Sequence, residues 1–168
     1  KDYLYFKIDR KKKIFASTLL MALGFTKPEI ADEFYDKEIY TFDAKSQKWK
    51  TKFNPENYKA KNFSEEVVDY KTGKVVIKLG EKVNYLTAKK LSSDGLKDIL
   101  VSQESLYGKY LHKNVKVNDE EDGTFEIGTE LNDTIIKQIL ASNTFSIQIS
   151  ITNSINKGPY LLNTILND

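Results

Sequence analysis

Two stretches of this chain repeat one pattern of apolar and turn residues, and that repeat restricts the fold more than any other feature. One copy runs from Gly73 to Val101 and the other from Gly123 to Ile149. Gly73 matches Gly123, Val75 matches Phe125 and Ile77 matches Ile127. After a two-residue shortening, Gly80 matches Gly128, Val83 matches Leu131 and Leu91 matches Ile139, while Ile99 and Val101 match Ile147 and Ile149. Each copy reads as strand, glycine turn, amphipathic helix, strand, with helices over about Thr87 to Leu91 and Asp133 to Ala141. Neither helix can bury its apolar face alone. Two copies packed together, or each on a neighbouring sheet, close a small α+β core. Unrelated strand–helix–strand units share such patterning, so duplication is an expectation for the structure to meet.

The remaining segments read in the same terms. Lys1 to Ile8 alternates imperfectly, and Tyr3, Tyr5 and Phe6 favour a strand. Ala16 to Leu23 has helical spacing and stops at Gly24. Thr26 and Glu29 form a capping box for a second helix, with Pro28 in its first turn, and Ile30 and Phe34 are expected on one face. Beyond Lys37 the period changes to two. Glu38–Phe42 and Gln47–Phe53 read as a hairpin, Asn54-Pro55-Glu56 as a capped turn, and Val67–Tyr70 with Lys74–Leu79 as a further hairpin turning at Lys71-Thr72-Gly73.

Composition excludes several classes of function. The 168 residues contain no cysteine and a single histidine, His112. Disulfides, thiolate nucleophiles, cysteine-ligated zinc and histidine-cluster metal sites are therefore ruled out. Net charge is +2, from 26 basic and 24 acidic residues, so only local clusters argue for a polyanion partner. No apolar run approaches the ~18–20 residues of a membrane span. Ile14 to Leu23 is broken by Ser17 and Thr18 and does not read as a secretory signal, so a cytoplasmic or nuclear protein is expected. Lys1 rather than methionine comes first, which suggests processing or a chosen boundary upstream.

Few constellations carry chemistry. Arg10, Lys11, Lys12 and Lys13 form a basic run before a helix, open between a phosphate contact and a solvated edge. The helical pair around Gly24-Phe25-Thr26 raises a helix–turn–helix, but the second helix region carries Glu29, Asp32, Glu33, Asp36 and Glu38 against two lysines. A groove would repel it. Asn118 to Gly123 has a calcium-loop start, yet Thr129 occupies the twelfth position where a bidentate glutamate belongs, so an Asp-Gly turn is preferred. His112 lacks a nucleophile elbow and reads as a surface or half-buried side chain. No glycine-rich phosphate loop occurs. Trp49 and the ten tyrosines read as strand packing rather than a stacking platform.

The two ends of the chain carry a resemblance. Lys1-Asp2-Tyr3-Leu4-Tyr5-Phe6-Lys7-Ile8-Asp9-Arg10-Lys11-Lys12-Lys13, continuing through Ala16-Ser17-Thr18-Leu19-Leu20-Met21-Ala22-Leu23-Gly24, resembles K-D-x-L-x-x-x-I-D-R-R-R-K and A-T-x-L-L-R-A-L-G of the bacterial RNA polymerase β-subunit family. Lys157-Gly158-Pro159-Tyr160-Leu161 with Asn163-Thr164-Ile165-Leu166 resembles that family's H-G-P-Y-I-x-x-T-L. The middle resembles the family's lineage-specific insertion at this place. Two family arginines after Arg10 are lysines here, Phe15 replaces a proline and Met21 an arginine, changes that weaken assignments to particular side chains on DNA.

The resemblance implies an α+β fragment: a small lobe remnant with an inserted module of antiparallel strands and short helices. Residues 1–34 and 153–168 would be the two halves of the β lobe, and 35–152 the insertion with repeat copies near 73–101 and 123–149. The ends would meet in one body, placing Ile8 near Tyr160. The complete enzyme, a nucleotidyltransferase, copies DNA into RNA from ribonucleoside triphosphates using magnesium held on another subunit, so this piece carries no cofactor and no catalytic residue. Arg10 to Lys13 would face the channel for downstream duplex DNA. Implied partners are the β′, α, ω and σ subunits, that DNA, and regulators docking on the insertion, in a cytoplasmic, nucleoid-associated complex without membrane contact. The alternatives are a protein–protein interaction module and a stand-alone non-specific DNA-binding domain.

Overall fold

The computed structural model describes residues 2–7, 13–59, 64–152 and 158–168. In chain order the elements are β1 (Tyr5–Lys7), β2 (Lys13–Phe15), α1 (Ala16–Ala22), α2 (Lys27–Phe34), β3 (Lys37–Asp43) and β4 (Lys48–Lys52). Then come β5 (Val67–Asp69), β6 (Val75–Ile77), α3 (Tyr85–Ser93), β7 (Asp98–Val101), β8 (Tyr110–Leu111) and β9 (Val115–Lys116). The last are β10 (Thr124–Phe125), α4 (Asp133–Ala141), β11 (Ser146–Ser150) and α5 (Tyr160–Asn167). Helices and antiparallel strands are interspersed, so the α+β class expected from the sequence holds. The chain divides into two compact units, Ile39–Tyr107 and Lys1–Glu38 with Gly108–Asp168. The span 108–152, expected with the insertion, thus shares a unit with the terminal segments.

In the unit Ile39–Tyr107, strands run in the order β6-β5-β7-β4-β3, antiparallel throughout. The period-two reading of Gln47 to Phe53 is met: Trp49, Thr51 and Phe53 are buried, and Trp49 lies opposite Phe42 on one side and Val101 on the other. Trp49 is fully enclosed and meets the Phe42 ring edge-on at 5.3 Å, which makes it a packing residue. Asn54 caps the 3-10 turn Pro55–Tyr58 by accepting from the Glu56 N–H. α3 begins earlier than the apolar spacing predicts because the Asn84 side chain accepts from the Thr87 N–H at 2.8 Å. Tyr85 then reaches Glu56 through its hydroxyl at 3.0 Å.

The two similar spans have the same order of elements: β6, Gly80, α3 and β7 in one, β10, Gly128, α4 and β11 in the other. Both helices start at an asparagine whose side chain accepts from the backbone N–H three residues on. The copies lie in different compact units.

In the unit Lys1–Glu38 with Gly108–Asp168, β1 pairs with β2, β9 with β10 and β8 with β11, each antiparallel. Asn118 to Gly123 is the tight turn between β9 and β10, as the sequence suggested. Its glycine is required by close approach, since a Cβ there would overlap the Asn118 side chain. The Thr26 hydroxyl accepts from the Glu29 N–H, so the expected N-cap forms, and the Glu29 carboxylate accepts from that hydroxyl rather than from the Thr26 N–H that a full capping box uses. Ile30 is buried and Phe34 is 46% exposed: the inward face of α2 runs through Ile30, Ala31 and the following Tyr35. Those three residues join Ala16, Ile127, Leu161, Leu162 and Ile165 in one apolar cluster. Burying the isoleucine and leucine side chains among them stabilises by about 1.5–3 kcal/mol each.

Candidate nucleic-acid interface

The cluster just described ties the two ends of the chain together, and polar contacts fix how they meet. The Leu4 N–H donates to the Thr164 hydroxyl at 2.7 Å, and the Asn163 amide donates to the Asp2 carbonyl at 3.4 Å. Ser17 and Thr18 at the start of α1 donate to the two carboxylate oxygens of Asp168 at 2.5 and 2.7 Å. Lys27 donates to the Asp168 carbonyl at 3.2 Å, and the Tyr35 hydroxyl donates to the Gly158 carbonyl at 2.8 Å. Burial raises the Tyr35 phenol above its ordinary value. The ends therefore occupy one body, as the resemblance implied. Ile8 lies outside the described residues.

The β1–β2 hairpin grows from this junction. Its register sets Tyr5 opposite Phe15, Phe6 opposite Ile14 and Lys7 opposite Lys13. Side chains alternate across a strand, so Tyr3, Tyr5, Lys7, Lys13 and Phe15 share one face while Leu4, Phe6 and Ile14 share the other. On the first face Tyr5 stacks on Phe15 at 5.1 Å, Tyr3 meets Phe15 edge-on at 5.8 Å, and the Lys13 ammonium lies 5.6 Å from the Tyr5 ring centre. Of the four expected contact residues, Lys13 is exposed on this face. Arg10, Lys11 and Lys12 lie outside the described residues. Lys7 was missed by the sequence reading, although the period of two already put it in phase with Tyr3 and Tyr5.

The other polar site in this unit corrects the expectation for His112, which is buried with 3% exposure rather than at or near the surface. Its Nδ1 lies 2.7 Å from the Ser150 hydroxyl and its Nε2 lies 2.6 Å from an Asp32 carboxylate oxygen. Leu111 and the rest of β8, pairing with β11, carry the ring inward, which its polar character alone did not announce. The serine, histidine and aspartate do not make a nucleophile. Ser150 is 3% exposed, so no substrate reaches its oxygen, while the acid is the solvent-facing member, with its side chain 62% exposed. The arrangement pins α2 to β8 and β11. With Asp32 ionised, Nε2 donates to it, and the rotatable Ser150 hydroxyl complements Nδ1 as donor or acceptor. That hydrogen bond, followed by the charges of His112 and Lys37, holds the Asp32 carboxyl below its ordinary value against the opposing effect of desolvation. A cavity of about 400 Å³ adjoins this site, lined by Pro28, Asp32, Lys37, Lys113 and Gln148 among others. Among the described residues no group of three or more His, Asp or Glu side chains is placed to hold a metal ion, and no helix is long and apolar enough to cross a membrane.

Known proteins place this geometry in context. No family model matches the chain. The DNA-directed RNA polymerase subunit beta of Rickettsia felis is 34% identical over all 168 residues, which cover 12% of that protein. The corresponding subunits of Rickettsia prowazekii and Rickettsia conorii are 34% and 33% identical over the same full span and share. Over its full length the chain is similar to a segment of these RNA polymerase β subunits. It spans about one eighth of the length of these relatives. The likeness to the β subunit covers both ends and the middle, in agreement with the junction of the segment's termini in one body.

Proposed function

We propose that this β-subunit segment helps to hold downstream duplex DNA by phosphate contact, as a non-catalytic part of an RNA polymerase. The observation that carries the reading is the hairpin, where Lys7 and Lys13 are paired across β1 and β2 and bracket the run Arg10-Lys11-Lys12. Opposed like charges weaken a hairpin unless a polyanion sits against them. Such contacts position DNA without reading its sequence. In this reading residues 1–34 and 153–168 are halves of the β lobe and 35–152 is an insertion, whose two similar spans arose by duplication. The complete enzyme, cytoplasmic and nucleoid-associated, polymerises ribonucleotides with magnesium bound outside this segment, in company with the β′, α, ω and σ subunits.

Titrating labelled duplex DNA into the folded chain at several salt concentrations tests the reading. Weak, sequence-indifferent binding is expected, and changing Lys11, Lys12 and Lys13 together to alanine should lower the log–log salt slope by about 2–3. Tight, sequence-selective binding would favour a stand-alone DNA-binding domain instead. Absence of binding at low salt would favour an interaction module. A docking role for the unit Ile39–Tyr107 has its own support, since Leu79 and Leu86 are 78% and 75% exposed and Val75 lies on the edge strand β6. On this reading the unit receives transcription regulators.

A further inference from the structure

We infer that Lys7 is a phosphate-binding residue of this segment, forming with Lys13 a cross-strand clamp on a nucleic-acid backbone. The inference rests on the DNA-holding reading above and extends it to a residue outside the basic run. Lys7 and Lys13 occupy directly opposed positions in the β1–β2 register, and both are exposed. Directly opposed side chains in an antiparallel pair begin about 5 Å apart, so two ammonium groups on flexible stems can converge on one phosphate or straddle two neighbours. The pair also lies on the aromatic face. Tyr5 stacks on Phe15 and lies beneath the Lys13 ammonium, which restrains that side chain on the outer surface of the hairpin. Leu4 and Ala16 anchor the other end of the hairpin, through the Leu4 bond to Thr164 and the Ala16 N–H bond to the Leu4 carbonyl at 2.9 Å. The strands are therefore tied at the junction of the chain ends, and the lysines stand at the far end of the pairing.

Charge supports the choice of ligand. From Lys7 to Lys13 the sequence holds five cations, Lys7, Arg10, Lys11, Lys12 and Lys13, against one acid, Asp9. A hairpin that sets two of those cations opposite one another gains stability when a dianionic stretch of phosphodiester backbone screens both. A protein surface bearing scattered carboxylates would match that spacing less well than phosphates repeated at a fixed interval.

The test uses the polymerase assembled with the full-length subunit that carries this chain. Duplex DNA binding is measured between 50 and 200 mM salt for the wild type, Lys7→Gln, Lys7→Arg, the triple change of Lys11, Lys12 and Lys13 to alanine, and Lys74→Ala on the β5–β6 turn of the unit Ile39–Tyr107. Lys7→Gln should lower the salt slope by about one, shrinking the affinity ratio across that range three- to fourfold, while Lys7→Arg and Lys74→Ala keep the wild-type slope. If the triple variant flattens the slope and Lys7→Gln leaves it unchanged, the clamp is overturned and the DNA-holding reading stands. If neither variant changes the slope, both fall.

Discussion

Replacing Gly128 by alanine should loosen the junction of the chain ends, and the loss can be worked out from the surroundings of that one residue. Gly128 has φ of +89°, and a Cβ there would lie 2.4 Å from the Leu162 carbonyl oxygen and 3.2 Å from the Leu166 Cβ. The obstacle is helix backbone of α5, which cannot swing aside as a side-chain tip could. Gly108 provides a matched control in the same compact unit: its φ is +82°, and a methyl group added there would meet nothing within 4 Å. Both changes carry the left-handed penalty of about 1–2 kcal/mol. Gly128→Ala adds an overpacking cost of about 1–3 kcal/mol. Urea unfolding followed by far-ultraviolet circular dichroism reads the difference. At a slope near 2 kcal/mol per molar, the Gly128 variant should melt about 0.5–1.5 M earlier than the Gly108 variant. Equal midpoints for the two variants would refute the close approach of α5 to the β10–α4 turn.

The pinning of α2 by His112 gives a pH dependence of definite sign. The Asp32 carboxyl is held below its ordinary value in the folded chain, so its contribution is fully present above the unfolded value of about 4 and disappears as pH falls through the lowered folded value. Comparing wild type with Asp32→Ala by denaturant unfolding should give a gap of about 0.5–1 kcal/mol at pH 7, allowing for solvent screening of the exposed carboxylate, and a gap that shrinks as the pH falls below the unfolded value. The caps of the two similar helices should behave alike: Asn84→Ala and Asn132→Ala should each destabilise their own unit by about 1 kcal/mol, whereas Asn→Gly at either position costs a few tenths. Amide hydrogen exchange in the first turns of α3 and α4 checks this, and unaltered exchange there would count against both caps.

The pieces read correctly from the sequence are those set by local chemistry. The Thr26 cap on the Glu29 N–H, the β3–β4 hairpin, the β9–β10 turn and the order of elements in both similar spans each follow from short-range hydrogen bonding and apolar period. Where local pattern stops short, distant residues decided the outcome. Phe34 has the spacing of a core residue, yet α2 rests on the Ile30, Ala31 and Tyr35 side because the α5 residues Leu161, Leu162 and Ile165 lie there. Lys7 shows the same limit at the candidate interface. Its phase along β1 was legible, but its facing lysine depends on which residues of β2 pair with it.

By itself, then, the sequence determined the α+β class, the Thr26 cap, the turns and the likeness of both ends to the polymerase β subunit, because each depends on residues close together in the chain or on their order. Tertiary structure alone decided that Asp168 accepts from the Ser17 and Thr18 hydroxyls of α1, that Gly128 must be small, and that His112 sits buried between Ser150 and Asp32. A buried imidazole needs polar partners to offset its lost hydration, and here they come from residues 38 and 80 positions away in the chain. No local pattern encodes such partners. They are brought together only when the apolar cluster joins α1, α2 and α5.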